Sequence, residues 1–177
     1  DSGIKNYNFK YDFKHYLTDK TKFTYGLNSI YYTFNPGKIE PTDSESGINP
    51  EELAKKYAFE PAIYFDVEQN LNSKFSINYG LRYSMFYRLG NQEINIYSNN
   101  QAVTYNSEMN IYEKATPIGT KKYSKNETIA SFNNLEPRIA MSFSIDEFQS
   151  IKASYNRMSQ YLHLISNTQS PTPLDVW

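Results

Sequence analysis

The side chains best suited to acid–base chemistry in this sequence are three carboxylates on one extended segment. Glu60, Asp66 and Glu68 occupy even positions of an alternating stretch, so they share one face of a strand. Two carboxyl groups held close together can act as a general acid and a general base on one substrate bond. Carboxylates at alternate positions also suit a strand face that is lined by water, and we favour this interpretation.

The other residue types that carry chemistry form no recognisable motif. The chain has no cysteine and two histidines, His15 and His163, so a zinc site would need carboxylate partners from distant positions. There is no Gly-x-Ser-x-Gly nucleophile elbow and no glycine-rich phosphate loop. The acids of region 35–56 lack the regular spacing of a calcium loop. We therefore predict no catalytic residue, no metal site, no cofactor and no enzymatic activity.

The elements that must position these side chains are long alternating segments, of which 75–88 is the clearest. Its odd positions are apolar or aromatic, and its even positions are small or polar except for Phe86. A period of two places the two sets on opposite faces of a strand. An ordinary strand has about 5–6 residues, whereas one that crosses a bilayer at a tilt needs about 9–11. The length of this segment therefore favours a transmembrane strand.

Five further segments alternate in the same way, and together the six predict three hairpins. The hairpins cover about 6–34, 57–88 and 129–157. Each contains one short polar turn, at 18–21, 71–74 and 146–149. Long regions follow each hairpin, at 35–56, 89–127 and 158–177.

The regular alternation of short and long connections indicates the fold. A soluble sandwich has no reason to sort its loops, whereas a barrel inserted from one side has short periplasmic turns and long extracellular loops. The predicted fold is all-β, an antiparallel up-and-down meander of about six long strands that forms part of a larger transmembrane β-barrel. The smallest single-chain barrels have about 8 strands, so we expect residues 1–177 to be an internal piece of a partial outer-membrane barrel domain.

Three local features lead to narrower predictions. Pro61 lies inside a predicted strand and cannot donate to the ladder, so we expect a bulge or an unpaired position there. Asn49 and Pro50 resemble the start of a helix, which predicts one or two helical turns over 50–56. Apolar residues on both sides of 98–100 predict a small hairpin inside region 89–127.

Composition supports a membrane location without a membrane helix. The chain contains 17 Tyr and 11 Phe, and aromatic residues concentrate in the interfacial girdles of membrane barrels. The mean hydropathy of -0.69 is compatible with a barrel, because only every second strand residue faces lipid. There is no apolar run long enough for a transmembrane helix. The net charge of -1 implies no nucleic-acid partner.

The C-terminal quarter of the chain contains a series of short motifs. They are Glu136-Pro137-Arg138, Lys152-Ala153-Ser154-Tyr155, Tyr161-Leu162-His163-Leu164, Ser166-Asn167-Thr168 and Pro173-Leu174-Asp175-Val176-Trp177. With these motifs, residues 134–177 resemble the barrel domain of TonB-dependent outer-membrane receptors of the Bacteroidetes, of the type with an N-terminal carboxypeptidase-regulatory-like domain. The resemblance implies a barrel of about 22 strands closed by a plug, which imports a scarce nutrient with energy relayed through TonB.

Under this interpretation the long loops form part of an outer vestibule. Aromatic rings there can stack on sugars or chelates, so the candidate cargo contacts are Tyr97, Tyr105, Tyr161, His163 and Trp177. The cargo would be a glycan, a peptide or a siderophore chelate. The expected partners are outer-membrane lipid, TonB through a plug domain outside these residues and, for a glycan importer, a surface lipoprotein lid.

Two other functions remain open. The first is a structural or adhesive outer-membrane β-barrel protein without transport, whose loops form a binding surface. The second is a barrel enzyme such as a lipid-modifying hydrolase, which would need a nucleophile and a base at the barrel rim. A plug domain with a TonB box upstream would favour transport, and its absence would favour the adhesive protein.

Overall fold

A computed structural model describes residues 3–39, 51–52 and 54–162 of the chain. The described residues form an all-β structure. In chain order its strands are β1 (Gly3–Thr18), β2 (Thr21–Asn35), β3 (Lys38–Ile39), β4 (Glu51–Glu52), β5 (Lys56–Asn70), β6 (Phe75–Leu89), β7 (Gln92–Ile96), β8 (Val103–Asn106), β9 (Ile111–Lys114), β10 (Gly119–Tyr123), β11 (Thr128–Ser144) and β12 (Ser150–Asn156). Five of them are 15 to 17 residues long, well beyond the usual length of about 5–6 residues.

Six strands form one antiparallel sheet in the order β1-β2-β5-β6-β11-β12. Among these six, each strand pairs with the next one along the chain, which confirms the predicted antiparallel meander. The sheet is not closed, because β1 and β12 are edges without a further pairing partner in the described part of the chain.

The register gives the sheet two chemically different faces. Odd-numbered residues pair with odd-numbered residues across the strands, as in the row Phe13, Tyr25, Phe65, Leu81 and Pro137. Rings pack along this row, with Phe13 and Tyr25 stacked at 5.3 Å between centroids. We call the odd-numbered side the apolar face and the even-numbered side the polar face.

The apolar face is uncovered. Phe9 is 60% exposed, Ile63 58%, Phe65 47% and Leu81 43%, although all four belong to the long strands of the sheet. The buried positions lie mostly on the other side, where Phe34, Ala58, Ala62, Ser84 and Phe86 are less than 9% exposed. The small core therefore sits on the polar face, and the apolar face has no protein layer against it in the described residues.

Ion pairs cross the polar face from strand to strand. Arg138 of β11 binds both carboxylate oxygens of Asp66 in β5, and the intervening residue in this row is Gly80 of β6. A Cβ on Gly80 would overlap Asp66 Oδ1, so the missing side chain makes room for the pair. A second pair joins Lys22 Nζ to Glu68 Oε2 at 2.6 Å.

Pro61 interrupts one ladder without shifting it. It pairs with Ser29 of β2, but the β5–β6 pairing passes from Phe59↔Tyr87 directly to Ala62↔Ser84. The expected unpaired position is confirmed, and no bulge forms because the register is identical on both sides.

Two local predictions are wrong. Glu51 and Glu52 are not helical but pair as β4 with Lys38 and Ile39 of β3, so strand pairing overrides the local helix signal. Residues Asn49 and Pro50 lie outside the described residues. In region 89–127 the predicted small hairpin around 98–100 does not form.

Region 89–127 is instead a longer structure, which we call the arm. Its strand β7 pairs with β10, and β8 pairs with β9. Because β8 and β9 lie between β7 and β10 in the chain, the β8–β9 hairpin forms the outer part of the arm. A 3-10 turn at Ser98–Asn100 separates β7 from β8. The arm continues the β6–β11 pairing outward, since Gly90 N donates to Glu127 O at 2.8 Å.

Candidate functional site

The most organised part of the polar face lies at the end of the sheet from which the arm projects. Phe34, Ala58 and Phe86 form a buried apolar cluster there, and Tyr161 and Leu162 pack against it. These two residues belong to the segment that follows β12, which we call the strap (residues 157–162). The chain therefore folds back over its own sheet on the polar face.

The cluster explains the one exception in the alternation of β6. Phe86 occupies an even position, where the pattern calls for a polar group, and it is 7% exposed. Its ring stacks on Tyr161 with centroids 5.3 Å apart and planes 14° apart. An apolar residue on the polar face was the signal in the sequence for a second layer at this point.

The hydroxyl of Tyr161 is fixed by three groups of the sheet. Ser84 donates its only hydroxyl proton to Glu136 Oε1 at 2.7 Å. Tyr161 therefore donates toward Ser84, with Oγ at 2.8 Å and the backbone oxygen at 3.0 Å, and it accepts from Asn134 Nδ2 at 3.1 Å. Ser84 is 1% exposed beneath this contact.

Glu136 is a buried carboxylate with a cation beside it, and it lies one row further from the arm than Ser84 on the polar face. Glu136 is 7% exposed, and Arg82 Nε lies 3.5 Å from its Oε2. Both its oxygens thus have a partner, one from Arg82 and one from Ser84. A buried carboxylate needs such partners, because leaving the charge unpaired in a low-dielectric site is costly.

The three carboxylates singled out in the sequence each have a partner of their own. Glu60 accepts from the Tyr32 hydroxyl at 3.2 Å, Asp66 binds Arg138, and Glu68 binds Lys22. The structure distributes them along β5 in separate contacts. These contacts suit a wall of fixed charges that faces water, and they do not bring two of the carboxylates onto one partner.

The aromatic candidates lie in different places. Tyr97 immediately precedes the 3-10 turn of the arm, and its hydroxyl lies 3.4 Å from Asn95 Nδ2. Tyr105 lies in the outer hairpin of the arm, is 53% exposed and packs against Tyr112 with ring centroids 5.1 Å apart. Tyr161 is on the polar face. His163 and Trp177 lie outside the described residues.

The contacts of these tyrosines therefore differ from one another. Tyr105 and Tyr112 present ring faces at an exposed position, which suits stacking on a ligand. Tyr161 has its ring and hydroxyl engaged by Phe86, Ser84 and Asn134, so its role in this structure is to anchor the strap. Sequence reasoning missed Ser84 and Asn134, which look like ordinary polar strand residues until the register is known.

Contacts at its base orient the arm. Arg88 donates to Gln92 Oε1 at 2.7 Å, and the Tyr31 hydroxyl donates to Asn126 Oδ1 at 3.1 Å. Beyond this base the side chains are solvated, with Met109, Tyr112 and Ile118 between 64% and 77% exposed. The arm thus extends an accessible surface away from the sheet.

The described ranges contain neither a metal-binding cluster nor a helix that could span a membrane. No group of three or more histidine, cysteine, aspartate or glutamate residues there could hold a metal ion. No helix in those ranges combines the length and the apolarity needed to cross a membrane.

Comparison with known proteins identifies no relative. No protein-family model, no curated protein and no solved structure matches this chain.

Proposed function

We propose that this chain is a section of the wall of an outer-membrane β-barrel receptor that imports a scarce nutrient in a TonB-dependent way. In this proposal the apolar face contacts lipid, the polar face lines the lumen, and the arm belongs to the extracellular vestibule. Further strands would pair with β1 and β12. The cargo is a glycan, a peptide or a siderophore chelate.

The observation that carries the proposal is the exposure of the apolar face. Seventeen large apolar side chains at odd positions of the six sheet strands, from Tyr7 to Tyr155, are each more than a third exposed. At roughly 100 Å² each this gives on the order of 1,500 Å², against about 300–600 Å² for the largest apolar patch of a typical soluble monomer. A surface of this size needs an apolar partner, and lipid is one that can cover six strands evenly.

The distribution of aromatic residues along the apolar face supports lipid. Toward the arm, Tyr7, Tyr31, Phe59 and Tyr87 form one row across four strands. Phe23 lies eight residues before Tyr31 on β2, a distance of about 26 Å along the strand. At a tilt of about 40° this corresponds to about 20 Å of bilayer depth, near the roughly 25 Å apolar band of membrane barrels.

The polar face supports a water-filled or plug-filled interior. Its ion pairs are only partly shielded, with the Arg138 side chain 46% exposed and that of Glu68 49% exposed. Such charges would be unfavourable against lipid, where a charged strand residue costs about 2–4 kcal/mol at the midplane. A barrel wall is the arrangement that gives each face the solvent it prefers.

A second candidate function has one observation in its favour. The outer hairpin of the arm exposes Met109 and Tyr112, and its two strands pair with each other. An apolar tip on a projecting arm suits adhesion to another surface. We keep an adhesive barrel protein as the alternative.

The lipid contact can be tested with two neighbouring residues of β11. Ile139 lies on the apolar face and Ala140 on the polar face, and the chain has no cysteine of its own. Single variants Ile139→Cys and Ala140→Cys are made in the full-length parent protein, with any cysteine outside residues 1–177 replaced by serine, and are reconstituted in vesicles with the same fluorophore. We expect quenching by nitroxide-labelled lipid at position 139 and by a water-soluble quencher at position 140. Equal aqueous quenching at both positions would refute the wall proposal.

Transport and adhesion are separated in cells. Uptake of labelled nutrients is compared between the parent strain, a strain lacking this protein and a strain lacking TonB. Import that requires both proteins supports the receptor. Surface binding that is lost without this protein but unchanged without TonB supports the adhesive alternative.

A further inference from the structure

We infer that the strap (residues 157–162) is a latched element that can detach from the polar face, and that Tyr161 is its latch. The inference concerns a conformational device within the sheet. Its consequence for passage along a lumen rests on the proposed function, but the attachment itself does not.

The strap is attached at two points that are four residues apart. At its start, Arg157 N donates to Pro137 O at 3.1 Å, which continues the β11–β12 ladder by one step. At its end, Tyr161 binds Ser84 and Asn134 and stacks on Phe86. The first point is a backbone bond of the sheet, and the second is a side-chain contact that can open independently.

In the described part of the chain, Met158, Ser159 and Gln160 form no hydrogen bond with the sheet. Met158 is 79% exposed, and the Gln160 side chain donates only within the strap, to Leu162 O at 2.7 Å. Among the described residues, the strap is held at its start by the ladder and at its end by Tyr161 and Leu162. The first point can therefore act as a hinge and the second as a latch. Local opening of such segments requires far less free energy than unfolding of the strands beneath them.

Opening would expose a patch that is otherwise unusual on the polar face. Phe34 is 3% exposed, Ala58 2% and Phe86 7%, and Tyr161 and Leu162 pack against this cluster. Tyr161 and Leu162 of the closed strap therefore cover part of an apolar surface that residues of β2, β5 and β6 form. In a barrel wall, release of Tyr161 would widen the lumen at the arm end of the sheet and uncover this apolar patch.

A single-cysteine reporter can detect the opening. Ala58→Cys places a small thiol in the buried cluster against which Tyr161 and Leu162 pack, and Ala140→Cys places one at an exposed position of the polar face. Residues 1–177 contain no cysteine, and any cysteine elsewhere in the parent protein is replaced by serine. The rate of reaction with a water-soluble maleimide is measured for both reporters in the full-length parent protein. We expect Ala58→Cys to react at least about tenfold more slowly than Ala140→Cys.

The latch is then tested with Tyr161→Phe, which keeps the stack on Phe86 and removes the hydroxyl. Loss of a hydrogen bond to a buried partner should accelerate labelling at position 58 by about 5- to 100-fold. Labelling at position 140 should not change. The matched control is Tyr155→Phe, which removes the hydroxyl of a 59% exposed tyrosine on the other face and should have no effect at either position.

Ser84→Ala gives a second, independent test from the sheet side of the same contact. We expect it to accelerate labelling at position 58, because Tyr161 then loses one acceptor. The inference is wrong if position 58 reacts as fast as position 140 in the unsubstituted background, or if Tyr161→Phe has no more effect than Tyr155→Phe. A failed lipid-quenching result at Ile139 would remove the membrane wall but leave these rates and their interpretation intact.

Discussion

Gly80 offers the sharpest test of how the polar face is built. In the row that joins Asp66, Gly80 and Arg138, the carboxylate lies directly over the glycine to reach the guanidinium. An added Cβ would overlap Asp66 Oδ1 and lie 2.7 Å from Phe65 O, closer than real Cβ contacts. Gly80→Ala should therefore displace Asp66 and weaken the ion pair.

The magnitude follows from three contributions. Overpacking of a tight site costs about 1–3 kcal/mol, and loss of hydrogen bonds between charged groups costs about 1.5–3 kcal/mol, reduced here because the Arg138 side chain is 46% exposed. Alanine in place of glycine restores about 0.5–1 kcal/mol through the unfolded chain. We expect a net loss of about 1–3 kcal/mol.

The assay is urea-induced unfolding in detergent or lipid, followed by far-ultraviolet circular dichroism or by gel mobility. Gly119→Ala is the matched control, since nothing lies within 4 Å of an added Cβ there. A double-mutant cycle with Asp66→Ala then assigns the cause, because the effect of Gly80→Ala should shrink once the carboxylate is gone. If Gly80→Ala and Gly119→Ala agreed within about 0.5 kcal/mol, the proposed role of Gly80 would be refuted.

Three further predictions concern other parts of the structure. Phe86→Ala should lower the free energy of unfolding by about 2–4 kcal/mol in the same assay, because it removes a 7% exposed ring from the core of the polar face. The control is Phe132→Ala, whose ring is 57% exposed in the adjacent position of β11 and whose loss should cost much less. Arg82→Met should cost about 2–4 kcal/mol by leaving Glu136 buried without its cation, and adding Glu136→Gln should recover part of the loss. Replacement of 103–114 by a short Gly-Ser linker should leave the unfolding free energy of the sheet unchanged within about 0.5 kcal/mol, since that hairpin makes its pairs within itself; loss of surface binding together with retained folding would support a recognition role for the arm.

The two faces of this sheet are unusual in which residues they bury. Its large apolar surface is unburied, and its small core is built on the side that carries the charges. Phe86 and the Ser84–Tyr161 contact stabilise the strap on that side, while the ion pairs of Asp66 and Glu68 fix the rest of the surface.

The six strands of the sheet, their order and their two faces followed from the sequence alone. Each of these properties is local: a period of two assigns a residue to a face, and a turn of about four residues forces neighbouring strands to be antiparallel. The interruption at Pro61 was also local, because a residue without an N–H cannot pair on both sides.

Only the tertiary structure decided which residues far apart in the chain contact one another. The pairing of β7 with β10, the crossing of Asp66 over Gly80 to Arg138, and the return of Tyr161 to Ser84 each depend on strand register. Local propensity contains no information about register between distant segments, which is why the helical turns over 50–56 and the hairpin around 98–100 were wrong. Phe86 combines local and tertiary information. Its apolar side chain on the polar face predicted an apolar neighbour, and only the tertiary structure shows that this neighbour is Tyr161.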